Sequence, residues 1–226
     1  MKITWLGQAG LLFETNGKKI LIDPYLSDFV KTVEPANYRR VPVDERFLAI
    51  KPDVLICTHN HLDHLDHETL KHYLTDSASC LVLAPNGGWQ EMRKYKGKSN
   101  YVLFNNGTTW TEGGVTFRAV CAEHSDPFAI GVILSAEGKS YYVTGDTLLS
   151  ERVFDSLPDT ALEAVFLPIN GVGNNMNAAD ASRFAARTGA KYAVPMHFGL
   201  FDNLDPHTFE HPNRVIPTFY KEIVLE

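Results

Sequence analysis

The sequence predicts an α/β (α+β) fold in which two mixed β-sheets pack face to face with helices on their outer faces. Two strand-rich blocks carry this prediction, one in the first two dozen of the 226 residues and one between "TTWTEG" and "SYYVTG". Each block is followed by alternating helix-like and strand-like runs, the pattern of a sheet extended by crossover connections. No linker, low-complexity segment or short-period repeat interrupts the chain, so one domain over residues 1–226 is the simplest partition.

The elements follow in order. "KITWL", "GLLFET" and "KKILID" are short strands, the last two joined by "NGK", a hairpin signal between alternating apolar residues. Residues 27–42 show neither helical nor strand period, and a loop this long inside a domain is more often functional than idle. "VDERFLAI" is predicted as a short helix and "VLICT" as a strand buried on both faces. Asp66 is a good cap for a helix over "HETLKHYL", with Glu68 favourably placed in its first turn. "CLVLA" strand, "GGWQEMRKY" helix and "YVLF" strand come next. The dense block "TTWTEG", "VTFRAVCAE", "AIGVILSAEG" and "SYYVTG" is all strand, with "EGK" a tight turn. "AVFLPI" and "KYAVPM" are strands flanking an amphipathic helix over "NAADASRFAART", which Gly189 ends.

Composition narrows function. A formal charge of -6, from 27 acids against 21 bases, repels an extended polyanion, so no nucleic-acid partner is expected. There is no eighteen-residue apolar stretch and the opening lacks an export signal, which predicts no membrane association and a cytoplasmic location. Cys57, Cys80 and Cys121 form no CxxC pair and are read as buried small apolar residues.

The chemistry concentrates in "THNHLDHLDH", which holds four of the nine histidines. His59 and His61, two apart at a strand end, lean to one side and can pinch a cation. Asp63 and His64 lie past the strand, where a turn can aim them at a second cation. Imidazole and carboxylate suit zinc, iron or manganese, and the lack of a nearby thiolate argues against a closed structural zinc site. Three other strand-like runs deliver one such side chain each at their C-terminal ends: His124 in "VCAEHSDP", Asp146 in "YYVTGDT" and His197 in "YAVPMHFG". Singly each is ordinary, since Gly-Asp is a common turn and a lone histidine is usually just hydrogen-bonded. Their joint placement makes them candidates. His67, His72, His207 and His211 stay outside the set, and the basic run "MRKYKGK" is read as a solvated helix end.

"HNHLDH", "HSDP", "TGDT" and "PMHFG", in this order, resemble the metallo-β-lactamase superfamily. "HSDPFAIGVILSAEGKSYYVTGDT", "LPINGVGNNMNAADA" and "PMHFGLFDNLDP" are similar to its L-ascorbate-6-phosphate lactonase-like branch, although those lactonases are longer. The resemblance implies a four-layer αββα sandwich with a dinuclear centre in the cleft between the sheet edges. It places His59, His61 and His124 on one metal, Asp63, His64 and His197 on the other, and Asp146 between them. Two divalent ions, zinc or manganese, are the implied cofactors, and iron fits the same donors. Asp23 in "LIDP" would support a ligand histidine from behind, the rival reading being an Asp-Pro turn.

The implied activity is metal-dependent hydrolysis, with a hydroxide attacking a lactone or phosphorylated sugar lactone and Asp63 or solvent relaying the proton to the ring oxygen. Asp63 and His197 are thus assigned catalytic as well as ligating roles. The alternatives are a phosphodiesterase for small diesters and a non-catalytic metal-binding sensor. The expected partner is a small-molecule substrate, anionic if phosphorylated, and the related lactonases imply a homo-oligomer. Arg39 and Arg40 are candidate clamps for an anion, against solvated loop charge. Asn170, Asn174, Asn175 and Asn177, which share one Gly-rich loop, are candidate contacts to a sugar, Asn170 and Asn177 foremost, against simple turn geometry.

Overall fold

The computed structural model describes residues 1–95 and 97–226. Its first sheet lines up β1 (Lys2–Gly7), β2 (Gly10–Thr15), β3 (Lys18–Ile22), β4 (Val54–Ile56), β5 (Leu81–Ala84) and β6 (Asn100–Leu103) in chain order. The second lines up β7 (Thr109–Glu112), β8 (Val115–Cys121), β9 (Ile130–Ala136), β10 (Lys139–Val143), β11 (Ala164–Pro168) and β12 (Tyr192–Met196). Both are mixed. Strands joined by short turns pair antiparallel, while β3 to β6 and β10 to β12 run parallel because helices and loops carry the chain back between them. The hairpins turn at Asn16–Gly17 and Glu137–Gly138, where both residues of each pair have positive φ, the geometry whose twist matches the flanking strands.

The sheets share one core. Phe13 of β2 meets Tyr141 and Phe166 of the opposite sheet edge-on, with ring centroids 6.2 and 5.8 Å apart. Helix α1 (Val30–Val33) is a single turn inside the long 27–42 loop. On the outer face of the first sheet, α2 (His67–Tyr73) and α3 (Asn86–Met92) bury Leu70, Tyr73 and Met92 against Leu21, Leu55 and Val82. On the outer face of the second, α4 (Glu151–Ser156) and α5 (Ala178–Thr188) bring Phe154 and Phe184 together, with Phe184 also facing Tyr142. The order helix, sheet, sheet, helix is the expected four-layer arrangement.

One local expectation fails. Residues 43–50 form successive turns rather than a helix, with Phe47 and Leu48 donating to Asp44 and Glu45 three residues back. Asp44 turns its carboxylate onto both the backbone amide and the guanidinium of Arg46, and Phe47, Leu48 and Ile50 pack onto the first sheet without helical period. Helix α4, six residues long after a loop, has no counterpart among the elements expected from the sequence. Of the basic run 92–98, Lys96 lies outside the described residues, Arg93 lies over the Trp89 ring and Lys94 pairs with Glu91. All three cysteines are free and buried. Among the described residues no helix is long and apolar enough to cross a membrane.

The C-terminal segment covers the free edge of β1. Tyr220 and Ile223 donate backbone hydrogen bonds to, respectively, Trp5 and Ile3, and Phe219 stacks on Trp5 at 4.4 Å. At the other end of the donor-rich loop, Asp66 is fully buried and caps α2, accepting from the Glu68 amide at 3.1 Å and the Thr69 hydroxyl. Replacing Asp66 with alanine is expected to cost about 1–2 kcal/mol, the value of a helix cap, read from the urea midpoint. An unchanged midpoint would show that this cap holds nothing in place.

Candidate metal centre

The C-terminal ends of β3, β4, β8, β10 and β12 open onto one rim, which is where a parallel sheet presents side chains to a ligand. Asp23 follows β3 and His59 follows β4, while His124, Asp146 and His197 follow the three strands of the second sheet. The sheets are tied at this rim by the Ile130 amide, which donates to the Thr58 carbonyl at 3.0 Å. Gly145 sits in the same junction with φ +62°, and a Cβ there would stand 2.7 Å from the Ile130 oxygen. Only glycine lets the chain turn so closely and aim Asp146 at the cleft.

Seven side chains converge. His59, His61 and His124 form one group of donor atoms within 4.8 Å of one another, His59, His64 and Asp146 a second, and Asp63, His64 and His197 a third. His59 and His64 each belong to two groups, so the clusters are contiguous rather than separate. The His59 and His64 ring centroids are 4.0 Å apart. Asp146 Oδ2 lies 3.2 Å from His197 Nε2, and its Oδ1 lies 3.3 Å from His64 Nε2.

The outer partners fix which ring nitrogen faces inward. His64 Nδ1–H donates to Asp23 Oδ2 at 2.8 Å, and the Asp23 carboxylate also accepts from the Thr58 amide at 2.7 Å and hydroxyl at 2.5 Å. Asp23, fully buried, therefore stands behind His64, one of the candidate donors, and does more than close an Asp-Pro turn. His124 Nδ1–H donates to the Asn174 carbonyl, and Thr58 Oγ1 sits 3.1 Å from His59 Nδ1. In each of these rings Nε2 is left for the interior.

That interior fits a cation. His59 Nε2, His64 Nε2 and Asp146 Oδ1 are buried polar atoms without a hydrogen-bond partner. Such atoms are costly unless something else satisfies them. His64 and Asp146 approach to 3.3 Å without hydrogen-bond alignment, as donors addressing a shared ion would. Neutral imidazoles with two carboxylates are the donor chemistry of zinc, manganese and iron.

Electrostatics divide the histidines. Burial, reinforced by the neighbouring His64 charge, pushes His59 well below the usual imidazole range, and burial lowers His124 too. Burial also opposes charge on His197, yet the carboxylates of Asp146 and Asp63 outweigh it and raise His197 to about 10. His64 is likewise raised well above its ordinary value against burial, by Asp146, Asp63 and Asp23. In return His64 and His197 hold Asp63 and Asp146 below the carboxylate range although both are buried.

The cluster floors a cavity of about 550 Å³, a volume suited to a small molecule. Asn170, Asn60 and Asn175 line it, as do Val30, Glu34 and Asn37 from the long 27–42 loop. Of the expected substrate contacts, Arg39, Arg40, Asn174 and Asn177 are not in its wall. Arg39 spends its guanidinium on the Tyr25 and Val41 carbonyls and the Tyr220 hydroxyl, which makes it a brace between loop and C-terminal segment. Arg40 is exposed, lies over the Tyr38 ring and donates to Asn203. Asn177 caps α5, its Oδ1 accepting the Asp180 amide at 2.9 Å. Asn170 does line the cavity, and its Oδ1 is buried without a partner.

Gln8 had no role assigned from the sequence, and Asn175, a candidate sugar contact, is found also to hold a donor. Asn175 donates to Asp146 Oδ2 at 2.7 Å, and Gln8, from the β1–β2 turn, donates to Asp63 Oδ2 at 2.8 Å. Gln8 carried no sequence signal beyond its place in a glycine-flanked turn.

A two-sheet sandwich that gathers histidines and aspartates from its strand ends onto one cavity floor defines the class: a metallo-β-lactamase fold with a candidate metal centre. A family model described as a beta-lactamase superfamily domain matches residues 2–197. The UPF0173 metal-dependent hydrolase of Geobacillus thermodenitrificans is 30% identical over 225 residues, covering 92% of this chain and 91% of that one. Its counterpart from Methanopyrus kandleri is 29% identical over 244 residues, covering 100% and 97%. The chain therefore belongs to the beta-lactamase superfamily, and within it to the family of metal-dependent hydrolases that these relatives represent. The isothiocyanate hydrolase from Delia radicum gut bacteria shares the fold, with a TM-score of 0.75 at 21% identity over 99% of this chain and 98% of that one.

Proposed function

We propose that the protein hydrolyses a small, uncharged, hydroxylated lactone at two divalent cations. His59, His61 and His124 would hold one ion and Asp63, His64 and His197 the other, with Asp146 between them. The observation that carries the reading is the contiguity of the three donor groups on the floor of an open cavity. Bound there, zinc or manganese would lower the pKa of water toward neutrality and stabilise negative charge on a carbonyl oxygen. The chain's own residues hold and orient. Asp63 is the more exposed of the two carboxylates among the donors, with 18% of its side chain accessible against 6% for Asp146, so it is the one placed to pass a proton to a departing ring oxygen. His197, bonded to both carboxylates, keeps them oriented.

The wall supports an uncharged substrate over the phosphorylated sugar lactone or a phosphodiester. Among the described residues its lining includes no arginine or lysine, whereas Glu34 and Asp202 add acid beyond the donors. A phosphate would find cations only at the metal pair itself. Asn60, Asn170 and Asn175 instead offer the amides that recognise hydroxyl groups.

The test is direct. Purified protein supplied with zinc or manganese is expected to open simple hydroxylated lactones, and His61→Ala to abolish turnover. Turnover of bis(p-nitrophenyl) phosphate alone would instead support the diesterase reading, and bound metal without any turnover the sensor reading.

A further inference from the structure

We infer that Gln8 is a positioning residue for one cation site only, the one bounded by Asp63, His64 and His197. The inference rests on the metal-centre reading given above. Gln8 is 2% exposed and holds a left-handed backbone at φ 50° in the turn between β1 and β2. A long side chain keeps such a conformation when its surroundings over-determine it. Here they do: the Gln8 carbonyl accepts both the Trp5 indole N–H at 3.0 Å and the His197 amide at 3.1 Å.

The side chain is aimed accordingly. Its Nε2 donates to Asp63 Oδ2 at 2.8 Å and lies 3.1 and 3.2 Å from the two ring nitrogens of His197. One residue thus bonds Asp63 by its side chain and His197 by its backbone carbonyl, with the side-chain amide set against the His197 ring. His197 itself has positive φ, 61°, so its place beside Asp63 depends on the amide bond to Gln8 rather than on the regular path of β12. The other group is held by different hands: His61 by Ser125, His124 by the Asn174 carbonyl and His59 by Thr58. Asp23 reaches His64 and Asn175 reaches Asp146, each touching one donor. The Gln8 contacts therefore fall on the Asp63 and His197 side and not on His59, His61 or His124.

Zinc titration of the full-length, chelator-stripped protein, against a chromophoric chelator and by calorimetry, tests this. Wild type is expected to show two binding events, and Asp63→Asn identifies the one belonging to the Gln8 side. Gln8→Asn keeps a residue that tolerates positive φ yet is one methylene too short to reach Asp63. It is expected to weaken that event by about 10–100-fold, the range for outer partners of metal ligands, and to leave the other unchanged. Gln8→Met, of equal length without a donor, should reproduce the selective loss, and a thermal melt in chelator shows whether either variant is folded. Equal weakening of both events, or no change in either in the folded variants, overturns the inference. A wild type that takes up no zinc overturns the metal centre itself, and the role of Gln8 with it.

Discussion

Asp146→Ala is expected to abolish hydrolysis and to bring metal content below the wild-type stoichiometry. Among the described residues Asp146 is the one carboxylate whose two oxygens face different histidines, His64 at 3.3 Å and His197 at 3.2 Å. Removing it takes a donor from the middle of the cluster, and even an outer partner of a metal ligand commands about 10–100-fold in affinity or activity. The loss here should therefore exceed a hundredfold, on the order of the upper end of that range or beyond. Stability changes too. In the chelator-treated variant the buried His64 and His197 lose a shared counter-charge, and breaking such a buried pair costs about 3–5 kcal/mol unless the rings give up their protons. Asp146→Asn separates the two effects, because it keeps the volume and one oxygen while removing the charge. Mass-spectrometric metal content, the lactone rate and chemical denaturation read the three consequences. A variant with full metal content and wild-type rate would show that Asp146 faces the cavity for some other reason.

Much of this centre is legible in the sequence because strand ends are a one-dimensional signal. An apolar run followed at once by His59, Asp146 or His197 needs no tertiary information to be noticed, and the sheets bring those ends together. The residues that stayed hidden act across the fold. Gln8 looks like part of a turn until the chain places it against Asp63, 55 residues away, and Arg39 looks like loop charge until its guanidinium reaches Tyr220, 181 residues on. Asn177 is different. Its role was written locally, in an asparagine followed three residues later by Asp180 at a helix start, and the cap signal competed with the nearby cleft. The turns over 43–50 mislead for a related reason: their apolar residues serve packing on the first sheet, which requires burial but not helical period.

The backbone around the site carries a further pattern. Gln8, Asp23, Asn174 and His197 all have positive φ without being glycine, and all touch the donor cluster or its partners. Each such residue is unfavourable by itself, so the fold holds them through contacts made elsewhere: the indole of Trp5, the Thr58 hydroxyl and amide, and the carbonyl of Gln8. Precision at the rim is thereby drawn from the rigid strands, which is why the long 27–42 loop lines the wall of the cavity and supplies none of the seven donors.

Metal should stabilise the protein more strongly at alkaline than at mildly acidic pH. In the chelator-treated protein the proton on His197 is held by Asp146 and Asp63, which set its pKa near 10 against an ordinary 6.5. Because the folded value is the higher one, this contribution is fully present below about pH 6.5 and is lost as pH rises through about 10. By the same linkage it shrinks by on the order of 3 kcal/mol between about pH 6 and about pH 9. The depressed Asp63 and Asp146 have the opposite sign: their contribution is present above the ordinary value of 3.8 and fades as pH falls below it. These charged pairs of the stripped protein thus contribute most in mildly acidic solution, while His59 and His124, whose pKa values burial lowers, oppose them as pH falls below the ordinary 6.5. A cation must displace the Nε2 protons of His64 and His197, so its affinity rises about tenfold per pH unit for each proton released. The two trends reinforce one another, and the gain in Tm on adding zinc should widen steadily across this interval. Calorimetry in buffers of different ionisation enthalpy should show protons released on binding. A gain in Tm that stays constant or narrows toward pH 9, with no proton release, would mean that these rings are not the ones the metal takes.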